Sequence, residues 1–367
     1  MTSILTNVSA MAALTTLRSI GSQLGTASDK MSSGLRVAKA SDDVAYWSIS
    51  TKMRSDTKAM EAATESVGLA KGVVDTAYAG LQNVRDAFVE IRNIAITASS
   101  MQHAPTSEAV IPAFYPDPEF AKSDVHEMEL RVQELLDQAR NSILSSSFAG
   151  VNLLYHPKNG DVKASQQEFN FVTGFVDGRV QTLDVKAMDT LVLNDDFGSY
   201  PTTYPEEYNP EETLLDGNDL ILVKSSSTPT SVHWFNFSGV LNPTTGDPES
   251  VPLDEVFMFQ RIENHVVRFG ADRKELYDGL VNRIDEKLDG LTSKMALVGS
   301  LQQSLDLYEE NGRKRIDAVN TGVSRLVDAD MEETSARLKA LETQRQLATN
   351  SLQIANSASS VMLQLFQ

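Results

Sequence analysis

From Met60 onward, apolar positions recur three and four residues apart: Ala63, Val67, Ala70, Val74, Ala77, Leu81, Val84, Phe88, Ile91, Ala95 and Ala98. That unbroken alternation is a coiled-coil seam, because 3.5-residue spacing keeps one stripe on one helix face. A helix from near Asp42 to near Ser100 would hold roughly 60 residues and run about 90 Å at ~1.5 Å per residue. A second seam runs through Ile284, Leu288, Leu291, Met295, Val298, Leu301, Leu305, Tyr308, Ile316, Val319, Val323 and Leu326, with Gly312 in its gap. A third, shorter one uses Val125, Met128, Val132, Leu135, Ala139 and Ile143. A lone heptad helix leaves its stripe in water, so the three need one another. They predict a mainly α fold: a rod-like bundle of long coiled-coil helices drawn from both ends of the chain, with a β-rich insert.

The extremities carry more apolar surface than one helix pair covers. Ile4, Val8, Met11, Leu14, Leu17, Leu24 and Met31 follow helical spacing, as do Leu338, Leu341, Ala348, Leu352, Ala355, Met362 and Phe366. Ile20, Leu347, Ile354, Val361, Leu363 and Leu365 fall on other faces, and Arg18 is the only charge in the first 28 residues. Apolar surface of this extent marks a protein interface. The last 22 residues are uncharged, but half of them are Gln, Asn, Ser or Thr, so they read as amphipathic and not as a membrane span. No basic stretch precedes the first apolar run, which disfavours a secretory signal peptide.

Proline separates these ends from the middle. None occurs from Met1 to Ala104, none follows Pro252, and seven of the twelve lie from Pro201 to Pro252. Proline breaks helix interiors, so residues 151–267 read as β and loop. Asp177-Gly178 between "FNFVT" and "RVQTLDV" signals a hairpin, and "DLILVKSS" and "VHWFNFSGV" are strand candidates. The predicted organisation is a terminal helix at 1–40, the first part of the rod with its hairpin at 41–183 and a variable outer domain at 184–267. A returning rod helix at 268–328 and a terminal helix at 329–367 complete it.

Charge sharpens that division. The chain has a net charge of −18, which argues against gripping nucleic acid or an anionic membrane. Between Asp184 and Asn264 stand fifteen acidic and three basic residues, two thirds of the net charge. The ends suit burial in an assembly, and the middle suits a solvated, self-repelling surface. With no cysteine there is neither a disulfide nor a thiolate site.

The stretch "MSSGLRVAKASDDVAYWSIS", residues 31–50, interrupts the first helical run. Gly34 permits a bend, and Ser41 or Asp42 would cap the next helix. The stretch resembles the N-terminal signature of bacterial flagellins, in which a Ser-Gly-x-Arg turn and an Asp-Asp pair join two helices. The resemblance continues in "LQNVRDAFVEIRNIAITASS" and "SSSFAGVNLL", and resumes in "VSRLVDADMEETSARLKALETQRQLATNSLQIANSASSVMLQLF". It covers roughly residues 1–155 and 270–367.

The resemblance implies a subunit exported unfolded by the flagellar type III apparatus. It would polymerise beneath a cap into the extracellular filament, either alone or with sister flagellins. An export chaperone, the cap and hook-junction proteins are the further implied partners, with no membrane insertion and no cofactor. Ile4, Val8, Met11, Leu14, Leu17, Leu24, Leu352, Met362, Leu363, Leu365 and Phe366 would form the filament-core interface. Val67, Val74, Leu81, Phe88, Leu291, Val298 and Leu305 would hold the rod seam, and Gly34, Arg36, Asp42 and Asp43 the joint. Leu352→Asp would place an unpaired carboxylate in the filament core and block polymerisation.

Two departures bear on recognition by hosts. In "VEIRNIAITAS", the segment that animal toll-like receptors read on many flagellins, Glu90 stands beside Arg92 and Ile94 where receptor-activating members carry arginine. In the joint, Ser41 replaces a lysine common before the Asp pair, and Tyr46-Trp47 replace small or aliphatic residues. Weak recognition by animal and plant receptors is expected. Aromatic-bearing signatures of this kind look like those of soil α-proteobacteria.

Other chemistries find little support. "HEMEL" at His126 has Leu130 where a zinc-protease motif needs its second histidine. Asp195-Asp196 and Glu206-Glu207 read as solvated loop, so no enzyme is expected. The nearest alternative is the hook-filament junction protein, which shares the terminal helices. A chemoreceptor rod would show similar seams, but it would carry a membrane span and lack the acidic insert.

Overall fold

The structure, a computed structural model, describes residues 7–107, 117–157, 166–194, 220–224, 232–236, 239–241, 248–250 and 258–365. Helix α1 (Val8–Ser33) starts at Asn7, whose Oδ1 accepts the Ala10 amide at 3.0 Å. It stops at Gly34, which takes the left-handed conformation at φ 70° and returns its amide to Lys30 O at 2.9 Å. Helix α2 (Val44–Ser100) is 57 residues long, and α3 (Asp124–Ser145) is capped by Ser123 Oγ.

Short strands follow: β1 (Ser147–Phe148), β2 (Val151–Asn152), β3 (Tyr155–His156), β4 (Glu168–Val176) and β5 (Arg179–Lys186). After a single helical turn, α4 (Ala187–Thr190), come β6 (Leu193–Asn194), β7 (Leu220–Lys224), β8 (Val232–Asn236), β9 (Gly239–Leu241) and β10 (Pro248–Ser250). Helices α5 (Met258–Phe269), α6 (Arg273–Val327) and α7 (Met331–Leu365) complete the described chain. Among the described residues every sheet is two-stranded: β1–β2, β4–β5, β7–β8 and β9–β10 are antiparallel, and β3–β6 is parallel. The β4–β5 hairpin turns at Asp177 and Gly178, both with positive φ as a two-residue primed turn demands. The strands expected in "DLILVKSS" and "VHWFNFSGV" are β7 and β8, paired with each other.

The chain folds as two compact units, Ala63–Asn311 and the terminal residues 1–62 with 312–367, and both α2 and α6 contribute to each. The larger unit holds one continuous core. Val67, Val74, Leu81, Leu291, Val298 and Leu305 are fully buried in it, and α3 adds Val125, Val132, Leu135, Ala139 and Ile143. Glycine lets the chain return across α2. A Cβ at Gly72 would stand 2.6 Å from the Phe148 ring, and one at Gly80 would overlap Ser146 Oγ. The Ser146–Leu154 turn therefore lies directly on the α2 backbone.

One element corrects the reading of the middle. Residues 258–267 were expected to be β or loop, with a rod helix starting at 268, but α5 runs from Met258 to Phe269 across that boundary. Its Met258, Phe259 and Ile262 are buried in the core of the larger unit. Glu129 of α3 caps its first turn, accepting the Gln260 amide at 2.9 Å. That cap is invisible to local pattern reading, because 131 residues separate donor from acceptor.

In the terminal unit α1 and α7 run antiparallel. Asn7 Nδ2 donates to Ala355 O at 2.9 Å, while Ala27 and Lys30 line a cavity with Asp330 and Glu333. Ile20, Ala27 and Leu341 are buried between them, flanked by Leu24, Leu338 and Ala348.

Candidate assembly surfaces

The joint is built from both arms. Leu35 bridges Asp328, the Arg36 amide donates to Val327 O at 2.7 Å, and the Ala329 amide donates to Gly34 O at 2.9 Å. Arg36 Nη2 reaches Leu326 O at 2.7 Å, and its guanidinium lies 5.3 Å over the Tyr46 ring. The two carboxylates divide the work. Asp42 Oδ2 accepts the Ala38 and Lys39 amides and folds the turn, whereas Asp43 Oδ1 accepts the Ala45 and Tyr46 amides. The cap of α2 is thus Asp43 and not Ser41 or Asp42, because α2 begins at Val44 and a cap serves the amides two and three residues on. Asp330 does the same for α7 through the Glu332 and Glu333 amides.

The terminal helices present two faces. Ile20 was expected off the helix–helix contact, yet it is 8% exposed and packs towards α7. With Leu24 and Ala27, at spacings of four and three, it defines the inward stripe. Val8 (74%), Met11 (62%) and Leu14 (37%) are exposed on α1, as are Leu347 and Ile354 on α7, while Leu17 and Leu352 are half-buried. Of the other core-interface residues, Ile4 and Phe366 lie outside the described residues. Met362, Leu363 and Leu365 fall in the last turns of α7, described for backbone only.

In the larger unit all seven seam residues are buried, Val67, Val74, Leu81, Leu291, Val298 and Leu305 at 0% and Phe88 at 2%. Tyr308, at 39% exposure, has left the seam. Beyond the heptads lies a buried polar knot. Arg273, at the start of α6, donates to Ala98 O, Ser99 O and Met101 O at 2.8 to 3.0 Å, so it satisfies carbonyls at the open end of α2. Its Nε and Nη2 also hold Glu263 Oε1 at 2.8 Å, and Tyr277 donates to the same oxygen at 2.9 Å. His103 Nδ1 meets Glu263 Oε2. Burial and the Glu263 charge push the Tyr277 hydroxyl well above its ordinary range.

Two further carboxyls are buried near α5: Glu129 holds its first-turn amides, and Asp117 donates its own backbone amide to Gln260 Oε1 at 2.7 Å. Burial pushes Glu129 up to about 8, against the opposing amides of Gln260, Phe259 and Met258. Asp117 is also raised by burial, but bonds from the Glu119, Ser107 and Phe120 amides and the Ser107 hydroxyl outweigh it and hold it below the usual carboxylate range. Sequence reading missed Glu129, Glu263 and Arg273. Their signal, single charged residues at the start of or within amphipathic runs, matches that of any exposed helical charge.

The receptor-type segment is engaged within the unit. Glu90 Oε1 accepts from Arg131 Nη2 at 2.8 Å, and Arg92 Nε lies 2.6 Å from Asp285. Ile94 packs partly buried on the core. Charge divides the two units sharply. The terminal unit carries fourteen basic and eleven acidic residues, a net of +3, and the larger one eighteen and thirty-nine, a net of −21.

Comparison with known proteins gives the following. The family described as the bacterial flagellin N-terminal helical region matches residues 4–113, and the bacterial flagellin C-terminal helical region matches residues 281–366. Over the full length of both chains the sequence is 34% identical to flagellin D and 32% identical to flagellin A of Rhizobium meliloti. It is 26% identical to a flagellin of Brucella melitensis, again over both full lengths.

Proposed function

The chain belongs to the bacterial flagellins, structural and non-enzymatic subunits that polymerise into the extracellular flagellar filament, and from that membership we propose which surfaces make the polymer. The exposed faces of α1 and α7 form the filament-core interface, and the seam of α2 and α6 forms the inner wall. The observation that carries this reading is the pair of apolar stripes on α1. Ile20, Leu24 and Ala27 are spent on α7, and Val8, Met11 and Leu14 are left in water at up to 74% exposure. Exposed apolar surface at that density has to be covered elsewhere.

Export in an unfolded state through the flagellar type III apparatus belongs to the same reading. So do contacts with an export chaperone, the cap and the hook-junction proteins. Support comes from the sparsely charged terminal helices. The junction-protein alternative is not favoured, since flagellins align over the full chain. Glu90, engaged by Arg131, supports weak stimulation of animal receptors. Strong activation of a receptor reporter line would overturn that part.

Met11→Asp tests the interface. A surface substitution of this kind shifts monomer stability by about ±0.5 kcal/mol, so the variant should fold normally and fail to extend filament seeds. Filaments of ordinary length by electron microscopy would overturn the assignment.

A further inference from the structure

The outward stripe of α1 contains one sulfur. Met11 is 62% exposed and stands between Val8 at 74% and Leu14 at 37%, each three residues from the next. Ile20 follows nine residues later, about two and a half turns of α-helix, so Met11 faces away from the side that packs on α7. Among the described methionines Met331, at 44%, is the other exposed one, whereas Met258 at 4% and Met295 at 9% sit in the core of the larger unit. Met31 is half-buried.

The chemistry of the helix pair singles that position out. The chain has no cysteine, and α1 and α7 contain no Trp, Tyr, Phe or His. Methionine is therefore their one readily oxidised side-chain type, and Met11 is its most exposed instance. A thioether that solvent reaches is open to a peroxide, and the product sulfoxide is polar where the thioether was apolar. With hydrogen peroxide, a sulfur lone pair attacks one oxygen, so that the S–O bond forms as the O–O bond breaks. Sulfur gives up two electrons. The hydroxide released takes the proton left on the transferred oxygen and departs as water.

We infer that Met11 is a redox-sensitive modification site, at which oxidation of the unassembled chain by a peroxide stops it from joining a filament. The inference rests on the α1 stripe being the filament-core interface and adds a control on its use. In that interface the stripe leaves water, and a sulfoxide would carry its oxygen into apolar surroundings, the costly arrangement for a buried polar group without a donor. The fold of the monomer is spared, because the Met11 side chain lies on the solvent side of α1. Assembly in turn covers the sulfur, so the site is sensitive before polymerisation and protected after it.

The test treats full-length monomer and sedimented polymer with limiting hydrogen peroxide and reads each methionine by peptide mass spectrometry, fragment spectra separating Met11 from Met1. Met11 should gain one oxygen ahead of Met258 and Met295 in the monomer, and be protected severalfold in the polymer. Equal oxidation in both states, or a Met11 that stays unoxidised in the monomer, would overturn the inference. The oxidised monomer should extend filament seeds about tenfold more slowly, with its far-ultraviolet circular dichroism unchanged. Methionine sulfoxide reductases acting on both epimers should restore the rate. Met11→Leu keeps an apolar side chain of similar volume and should hold its rate through the same treatment. Met11→Gln, polar and of similar length, should be slow without any oxidant. If treated Met11→Leu slows as much as the unaltered chain, or if oxidation lowers helicity, the effect lies elsewhere and the inference fails. Should untreated Met11→Leu not extend seeds, the comparison of monomer with polymer decides. Met11→Asp separates this inference from the interface on which it rests. If Met11→Asp blocks extension and oxidation of Met11 does not, only the redox site falls, whereas normal filaments from Met11→Asp strike the interface itself.

Discussion

The terminal unit and the larger unit are built from the same two long helices and differ in almost everything else. Among the described residues the larger unit buries thirty-eight apolar side chains in one cluster, while the terminal unit buries six, Ile20, Ala27, Val37, Val323, Val327 and Leu341. The larger unit adds buried, hydrogen-bonded carboxyls, and the terminal unit adds exposed Val8, Met11, Val44 and Ile49. A compact domain stabilises itself by the first arrangement. The second leaves apolar side chains in water, which under the proposed assembly other copies would cover.

The comparison breaks most sharply at the polar knot. Arg273→Ala should destabilise the larger unit by about 3–5 kcal/mol, since Glu263 would keep a buried charge without its guanidinium. Urea unfolding of the monomer followed by circular dichroism should show the midpoint fall. An unchanged midpoint would mean the knot does not hold the unit. Overpacking comes next. Gly80→Val must displace Ser146 and Leu154, a cost of about 1–3 kcal/mol, and the same urea titration reads it.

Glu129 supplies a pH dependence of comparable size that belongs to the larger unit alone. Its folded pKa of about 8 lies above the ordinary value of 4.5, so its contribution is fully present below about pH 4.5 and is lost as pH rises through 8. At about 1.4 kcal/mol per pH unit, the loss across that window is a few kcal/mol. Glu129→Gln should flatten the thermal-melt profile between pH 5 and 8, and a persisting slope would place the titration elsewhere. Salt gives the smallest and most diffuse effect. With −21 charges on one unit, raising ionic strength shortens the screening length from about 30 Å at 0.01 M to about 10 Å at 0.1 M. Seeded polymerisation should accelerate severalfold in light scattering, whereas monomer stability changes little.

Periodicity made the long helices legible. A side chain at every three or four positions either lies on one face or does not, and Val67 through Ala98 could not lie otherwise. The Asp177-Gly178 hairpin was legible for a similar local reason, because two successive positive-φ positions admit few other residues. Ser41 and Asp42 illustrate the limit of local reading. Three neighbouring oxygens could each cap a helix, and the end of the preceding turn decided for Asp43.

The chain by itself thus determined where the long helices run and which of their positions are apolar. The tertiary structure alone decided what each face meets. Ile20 and Met11 are both apolar residues of one helix, and only the position of α7 makes one core and leaves the other as surface. Helix α5 needed a carboxyl from Glu129, and the α2 terminus needed a guanidinium from Arg273. Such partners lie 131 and 175 residues away, and a hydrogen bond depends on distance in space and not along the chain.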